Sequence, residues 1–131
     1  MVVLDSWALL AYLNNEPAAS RIEVEWLERG ASISSINLGE VLYIRIRAVG
    51  VDSAQADVET IRRRLTVLDP DWPMVMAAAA IKAQGGLSYA DAFCIATALQ
   101  LGVPLWTGDP EIVGQAVQHS CEVVDLRAPD A

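Results

Sequence analysis

Five short apolar runs along the chain predict the strands of a buried sheet. Each run is too short and too uniformly apolar to form an amphipathic strand, which is typical of parallel strands covered on both faces. The predicted strands are 2–4, 31–33, 66–68, 103–107 and 121–124.

Segments with apolar residues at helical spacing separate these runs. The predicted helices are 7–13, 17–29, 34 or 35 to 49, 52 or 53 to about 64, 74–84, 88–101 and 111–118, and glycines follow several of their ends. Strands that alternate with helices predict an α/β fold. We expect a three-layer α/β/α sandwich with a short, mostly parallel sheet of about five strands, formed by one domain that spans 1–131.

Length and composition limit the class of protein further. The 131 residues are 53 % hydrophobic and 20 % charged, which excludes a disordered chain. The sequence predicts neither a membrane-spanning helix nor a signal peptide. We therefore expect a cytoplasmic protein in which Cys94 and Cys121 are buried thiols.

Acidic residues outnumber basic ones by 17 to nine, so the formal net charge is −8 at pH 7. This charge argues against nonspecific binding of nucleic acid, because such binding depends on Lys and Arg that neutralise phosphates. Either the partner is not a nucleic acid, or bound cations neutralise some of the carboxylates.

Four carboxylates occupy positions where a carboxylate is either costly or useful. Asp5 and Asp109 follow two predicted strands, and α/β sheets bind ligands at the carboxyl ends of their strands. Glu40 interrupts an apolar helical stripe, and Asp91 lies in the first turn of an otherwise apolar helix.

Each of these acids also has a purely structural interpretation. Asp5 could cap the helix that follows it, and Asp91 could complete a capping box with the serine three residues earlier. Asp109 could be an ordinary turn residue, and Glu40 could pair with an arginine further along its helix.

All four acids together favour a metal site over four separate structural roles. Carboxylates gathered without basic partners repel one another, and hard divalent cations such as Mg²⁺ or Mn²⁺ relieve this repulsion. Such sites are typical of phosphoryl transfer. Five arginines are candidates for contacts with a phosphate backbone: Arg45, Arg47, Arg62, Arg63 and Arg64. The alternative is that these arginines only form a solvated helix face.

Four segments carry a family resemblance. They are Val3-Leu4-Asp5-Ser6 with Ala8-Leu9-Leu10-Ala11, Ser35-Ile36-Asn37-Leu38-Gly39-Glu40-Val41, Leu87-Ser88-Tyr89-Ala90-Asp91-Ala92, and Leu105-Trp106-Thr107-Gly108-Asp109-Pro110-Glu111. In their order and spacing they resemble PIN-domain ribonucleases of the VapC toxin type. One departure is Ile112, where these proteins often have an aromatic residue.

The resemblance implies a fold, a site and partners. It implies a PIN-like fold and a catalytic quartet that binds Mg²⁺ or Mn²⁺ and cleaves single-stranded or loop RNA: Asp5, Glu40, Asp91 and Asp109. It also implies that Ser6, Asn37 and Thr107 orient the acids or water. Similar toxins form homodimers and are neutralised by a cognate VapB-like antitoxin, so both partners are expected here.

Three other functions remain open. A haloacid-dehalogenase-like phosphatase needs Asp-x-Asp after the first strand, and Trp7 stands where the second acid is required. A housekeeping RNA-processing PIN nuclease would share the chemistry but lack an antitoxin. A PIN-like binding module would have lost catalysis.

Overall fold

The computed structural model describes residues 1–128, and its five strands form one sheet. The strands are β1 Val2–Leu4, β2 Ala31–Ser34, β3 Thr66–Leu68, β4 Leu105–Thr107 and β5 Val123–Asp125. Their order across the sheet is β3-β2-β1-β4-β5, and every neighbouring pair is parallel. The predicted five-stranded α/β architecture is confirmed.

Within the described residues, seven α helices and one 3₁₀ helix connect the strands. They are α1 Ser6–Leu13, α2 Ala19–Arg29, α3 Ser35–Val49, α4 Val51–Arg62, α5 Trp72–Ala83, α6 Tyr89–Leu101, α7 Pro110–Gln115 and the 3₁₀ helix Ala116–His119. None of these helices is long and apolar enough to cross a membrane.

The helices cover both faces of the sheet and create two apolar clusters. Along β1, Val2 and Leu4 pack into one cluster with residues of α1 to α4. Val3 points to the opposite face and packs with residues of α5, α6 and α7. This alternation confirms the three-layer sandwich. Cys94 and Cys121 lie in the second cluster, buried and free of disulfides, as predicted.

The ends of β1 and β3 agree with the predictions, and other element ends differ from them by up to three residues. β4 begins at Leu105 and not at 103, because Pro104 has no backbone N–H for the ladder, although its carbonyl accepts a bond from the Val3 N–H (3.0 Å). α4 begins at Val51, without a side-chain cap from Asp52 or Ser53. Gly50, with φ 87°, lets the chain pass directly from α3 into α4.

Candidate active site

The four predicted acids lie beyond the carboxyl ends of the three adjacent strands β2, β1 and β4. Asp5 directly follows β1, Asp109 comes two residues after β4, and Glu40 lies in α3, which follows β2. Asp91 joins them from the first turn of α6. The strand order changes direction between β1 and β4, and such switch points are where parallel α/β sheets bind ligands.

Three of these carboxylates also cap helices. Asp5 accepts the Ala8 N–H at the start of α1 (2.8 Å), and Asp109 accepts the Glu111 N–H at the start of α7 (2.9 Å). Asp91 forms the predicted capping box with Ser88. The capping interpretation of Asp5 and Asp91 is therefore confirmed as local geometry, whereas Asp109, expected as a turn residue, caps α7. Each of these contacts fixes the orientation of its carboxylate through one oxygen.

Asp5 is the most deeply buried acid, with 2 % of its surface exposed. Its second oxygen accepts a hydrogen bond from the Thr107 hydroxyl, whose oxygen also accepts the Asp109 N–H (2.9 Å). Burial raises the pKa of Asp5 to about 7, against the lowering effect of its hydrogen bonds from Thr107 and Ala8. Repulsion from Asp109 and Asp91 adds to this rise in pKa.

Asp91 has a similar environment. Burial, followed by repulsion from Asp109, raises the pKa of Asp91, and Glu40 contributes to the same rise. Behind it, the thiol of Cys94 donates to the backbone carbonyl of Asp91 (3.0 Å). Burial raises the pKa of the Cys94 thiol well above its ordinary value, and the nearby carboxylates of Asp5 and Asp91 add to the rise. Cys94 is therefore a neutral thiol that contacts the backbone of Asp91.

Glu40 lies in α3, and its carboxylate accepts a hydrogen bond from a residue of α1. The Ser6 hydroxyl donates to Glu40 Oε1 (2.7 Å), which joins α3 to α1. The alternative in which Glu40 pairs with an arginine of α3 is wrong, because Arg45 pairs with Asp57 (2.9 Å) and Arg47 lies over the ring of Tyr43.

Within residues 1–128, no Lys or Arg forms an ion pair with any of the four acids. Arg127 is the basic residue whose charge reaches Asp109, since Asp109 contributes to the raised pKa of Arg127. Its guanidinium is already held by both carboxylate oxygens of Asp125. The negative charge of the cluster is therefore not neutralised by side chains of the described chain.

The donor set fits a hard divalent cation, although the described side chains do not already form a metal cage. No three His, Cys, Asp or Glu side chains among residues 1–128 converge on a point that would hold an ion. However, Glu40, Asp91 and Asp109 each keep one carboxylate oxygen that accepts no hydrogen bond from this part of the protein. Buried Asn37 donates to the Ala90 carbonyl (3.0 Å), and its Oδ1 has no hydrogen-bond partner there. Carboxylate and amide oxygens are ligands that Mg²⁺ and Mn²⁺ accept.

The five candidate arginines do not join this cluster in the described contacts. Arg62 and Arg63 both pair with Glu59, and Arg64 lies over the ring of Trp26. These three residues come just before the amino end of β3, at the edge of the sheet opposite to the acids. Their role in binding RNA, like that of Arg45 and Arg47, stays a prediction.

A contact that sequence reasoning missed lies beside Asp109. The ring of Trp7, in the first turn of α1, covers the buried Gly108 so closely that a Cβ there would lie 2.3 Å from Cζ2 of the ring. Nothing in the local pattern indicates this contact, because the two residues are far apart in sequence. The hydrogen bond from the Cys94 thiol to the Asp91 carbonyl was also missed, although short polar side chains within a helix often donate to a carbonyl three or four residues earlier.

Three solved structures show the same fold. The DNA-bound VapBC of Salmonella typhimurium is 20 % identical, with a TM-score of 0.76 and coverage of 95 % of this chain and 97 % of that chain. VapC20 of Mycobacterium tuberculosis, a toxin that cleaves the sarcin-ricin loop, is 18 % identical, with a TM-score of 0.70 and coverage of 87 % and 94 %. A toxin–antitoxin complex from Klebsiella pneumoniae is 16 % identical, with a TM-score of 0.73 and coverage of 96 % and 98 %.

Sequence comparisons agree with the fold at the level of the family. A search of curated proteins gives no match. The family model of the PIN domain matches residues 2–117, which include all four acids and every strand except β5. A match over this share of the chain confirms the predicted family, and the chain belongs to the PIN domain family.

Proposed function

We propose that this chain is a single-domain, Mg²⁺-dependent endoribonuclease of the VapC toxin type, neutralised by a cognate VapB-like antitoxin. Mn²⁺ is the alternative cation. The proposal places the protein in the cytoplasm, together with its RNA substrate.

One observation supports the proposed nuclease activity. At the carboxyl edge of the sheet, four carboxylates are close enough for their charges to affect the pKa values of Asp5 and Asp91, and no Lys or Arg of the described residues pairs with them. Because unpaired buried charge is costly, such a cluster needs a cation or has to bind protons. PIN domain nucleases hydrolyse nucleic acids, and the family match supports the same reaction class here.

The contacts of each residue indicate its role in the proposed site. Glu40, Asp91 and Asp109 would hold the cation through their uncommitted oxygens. Asp5, which the resemblance also implies as a ligand, already accepts hydrogen bonds at both oxygens and would add its negative charge to the site. When bound, the cation supplies the polarisation of water and phosphate that phosphodiester hydrolysis needs. Ser6 holds Glu40 in place, and the Thr107 hydroxyl fixes Asp5.

Asn37 has a positioning task within the same site. Its amide N–H₂ ties α3 to the start of α6, so the helix of Glu40 and the helix of Asp91 keep a fixed spacing. Its free amide oxygen would accept a hydrogen bond from water or from a hydrated cation.

Cleavage of a labelled stem-loop RNA tests the activity. We expect cleavage in Mg²⁺, none in EDTA, and at least about 100-fold slower cleavage by Glu40→Gln and Asp109→Asn. The amide variants are better than alanine, because Asn keeps the capping oxygen. Asp52→Asn, at an exposed position in α4, is the matched control and should cleave normally. Full activity in EDTA would contradict the proposal.

The antitoxin and the homodimer need separate experiments. Their support is the likeness to a toxin–antitoxin complex and to VapBC structures. We expect a small protein encoded beside this gene to co-purify with it and to suppress RNA cleavage, and light scattering should show a dimer. An active, monomeric nuclease without such a neighbour would favour the housekeeping enzyme. Metal and RNA binding without cleavage would favour the binding module.

A further inference from the structure

We infer that Trp7 is a positioning residue that holds the turn carrying Asp109 through its contact with Gly108. The inference rests on the proposed function, because its effect is measured at the proposed cation site. It assigns a task to an aromatic residue that is not a ligand.

The ring of Trp7 occupies the space that a side chain at position 108 would need. A Cβ on Gly108 would lie 2.3 Å from Cζ2, 2.4 Å from Cη2 and 2.6 Å from Cε2 of Trp7. Carbon atoms that are not bonded normally stay about 3.5–4.0 Å apart. Any residue larger than glycine would therefore force the ring or the turn to move by roughly 1 Å.

Hydrogen bonds hold the residues on both sides of Gly108, and the ring of Trp7 packs against the glycine between them. On one side of Gly108, Thr107 is fixed by its hydroxyl bond to Asp5 and by the Leu126 N–H, which donates to the Thr107 carbonyl (2.8 Å). On the other side, the Asp109 N–H donates to the Thr107 hydroxyl. Gly108 has no side chain with which to pack, and the ring of Trp7 covers it.

The same ring links two acids from different elements. Trp7 belongs to the first turn of α1, which Asp5 caps, and Gly108 directly precedes Asp109. Trp7 also packs against the apolar cluster on that face of the sheet, so its position is set by the core. Because the ring packs against Gly108, it restricts where the turn that carries Asp109 can lie.

Metal binding by a conservative variant tests the inference. Trp7→Phe keeps an aromatic ring in the apolar cluster but removes the outer ring atoms that cover Gly108. We expect its affinity for Mn²⁺, measured by calorimetry without RNA, to fall by about tenfold, as is typical when a support of a metal ligand is lost. The urea midpoint in EDTA should change little. Trp72→Phe, at an exposed tryptophan of α5, is the matched control and should bind Mn²⁺ normally.

A second variant tests the contact from the other side. Gly108→Ala should weaken Mn²⁺ binding in the wild-type background, because the new methyl group collides with the ring. In the Trp7→Phe background the same change should have little further effect, since the colliding atoms are gone. Gly114→Ala, whose Cβ would meet nothing within 4 Å, is the control for adding a methyl group.

Three results would overturn the inference. If Trp7→Phe binds Mn²⁺ as tightly as the wild type does, whether or not it is less stable in EDTA, Trp7 is only a packing residue. That result would leave the proposed function intact. Equal effects of Gly108→Ala in both backgrounds would show that the ring is not involved. A wild-type protein that binds no Mn²⁺ and cleaves no RNA would overturn the proposed function and the inference together.

Discussion

Replacing Asp5 by Asn should stabilise the metal-free protein at neutral and alkaline pH. Asn is as good a helix cap as Asp, so the bond to the Ala8 N–H survives. What the substitution removes is a negative charge that is buried beside Asp91 and Asp109.

The size of the effect follows from the pKa of Asp5, which is raised from 3.8 to about 7 in the folded protein. A raised carboxyl pKa means that the folded state binds the proton more tightly than the unfolded state does. The wild type therefore loses stability as pH rises from about 4 to 7, by about 4 kcal/mol in total. Asn does not titrate, but the atom that faces Thr107 becomes an N–H₂ donor, so the Thr107 hydroxyl loses its acceptor, which costs about 1–2 kcal/mol. At pH 8 the net gain should be about 2–3 kcal/mol.

Urea unfolding in EDTA, followed by circular dichroism at pH 5, 6, 7 and 8, measures this. The stability of Asp5→Asn relative to the wild type should increase by about 3 kcal/mol from pH 5 to pH 8, which is a shift of about 1–2 M in the difference between midpoints. The exposed Asp52→Asn, which removes a carboxylate from the surface, is the control. If the relative stability of Asp5→Asn does not change with pH, or falls as pH rises, the buried charge of Asp5 does not limit the stability of the wild type.

Three further substitutions have defined outcomes. Asp91→Asn should be as stable as the wild type or more stable in EDTA, yet should lose the rise in Tm that Mg²⁺ gives the wild type; an unchanged rise would make Asp91 a cap only. Ser6→Ala removes the hydrogen bond to Glu40 and should slow RNA cleavage about 10- to 100-fold without changing the fold seen by circular dichroism, so a normal rate would contradict its role. Trp26→Phe removes the donor to the Arg64 carbonyl (2.7 Å) and should cost about 1 kcal/mol or more in urea unfolding, while RNA cleavage stays normal.

The sheet and the positions of the acids could be predicted because they follow from local patterns and one rule of topology. Short apolar runs between helices require a parallel sheet, and the carboxyl ends of parallel strands share one edge. Asp5 and Asp109 were therefore expected at the same edge. The capping box at Asp91 was likewise visible in the spacing of two residues.

The contacts between distant segments could not be predicted in the same way. Helical spacing left an arginine as one alternative partner of Glu40, and the resemblance implied only that Ser6 orients the acids or water. The structure places the Ser6 hydroxyl at Glu40, from a helix near the start of the chain. The cover of Gly108 by Trp7 and the hydrogen bond that the Thr107 hydroxyl donates to Asp5 also join segments that no local pattern relates. These contacts depend on how the layers pack, which is decided by the whole core.

The caps at Asp5 and Asp91 have an electrostatic consequence. Both carboxylates lie at the positive end of a helix dipole, because α1 and α6 each begin at the acid cluster. A helix end stabilises a nearby anion by about 0.3–1 kcal/mol through backbone N–H groups alone. An arginine or lysine would stabilise the acids more strongly, but it would also compete with a cation for their oxygens. The N–H groups at the starts of α1 and α6 reduce the repulsion between the carboxylates. They leave the carboxylate oxygens that accept no hydrogen bond available to a ligand.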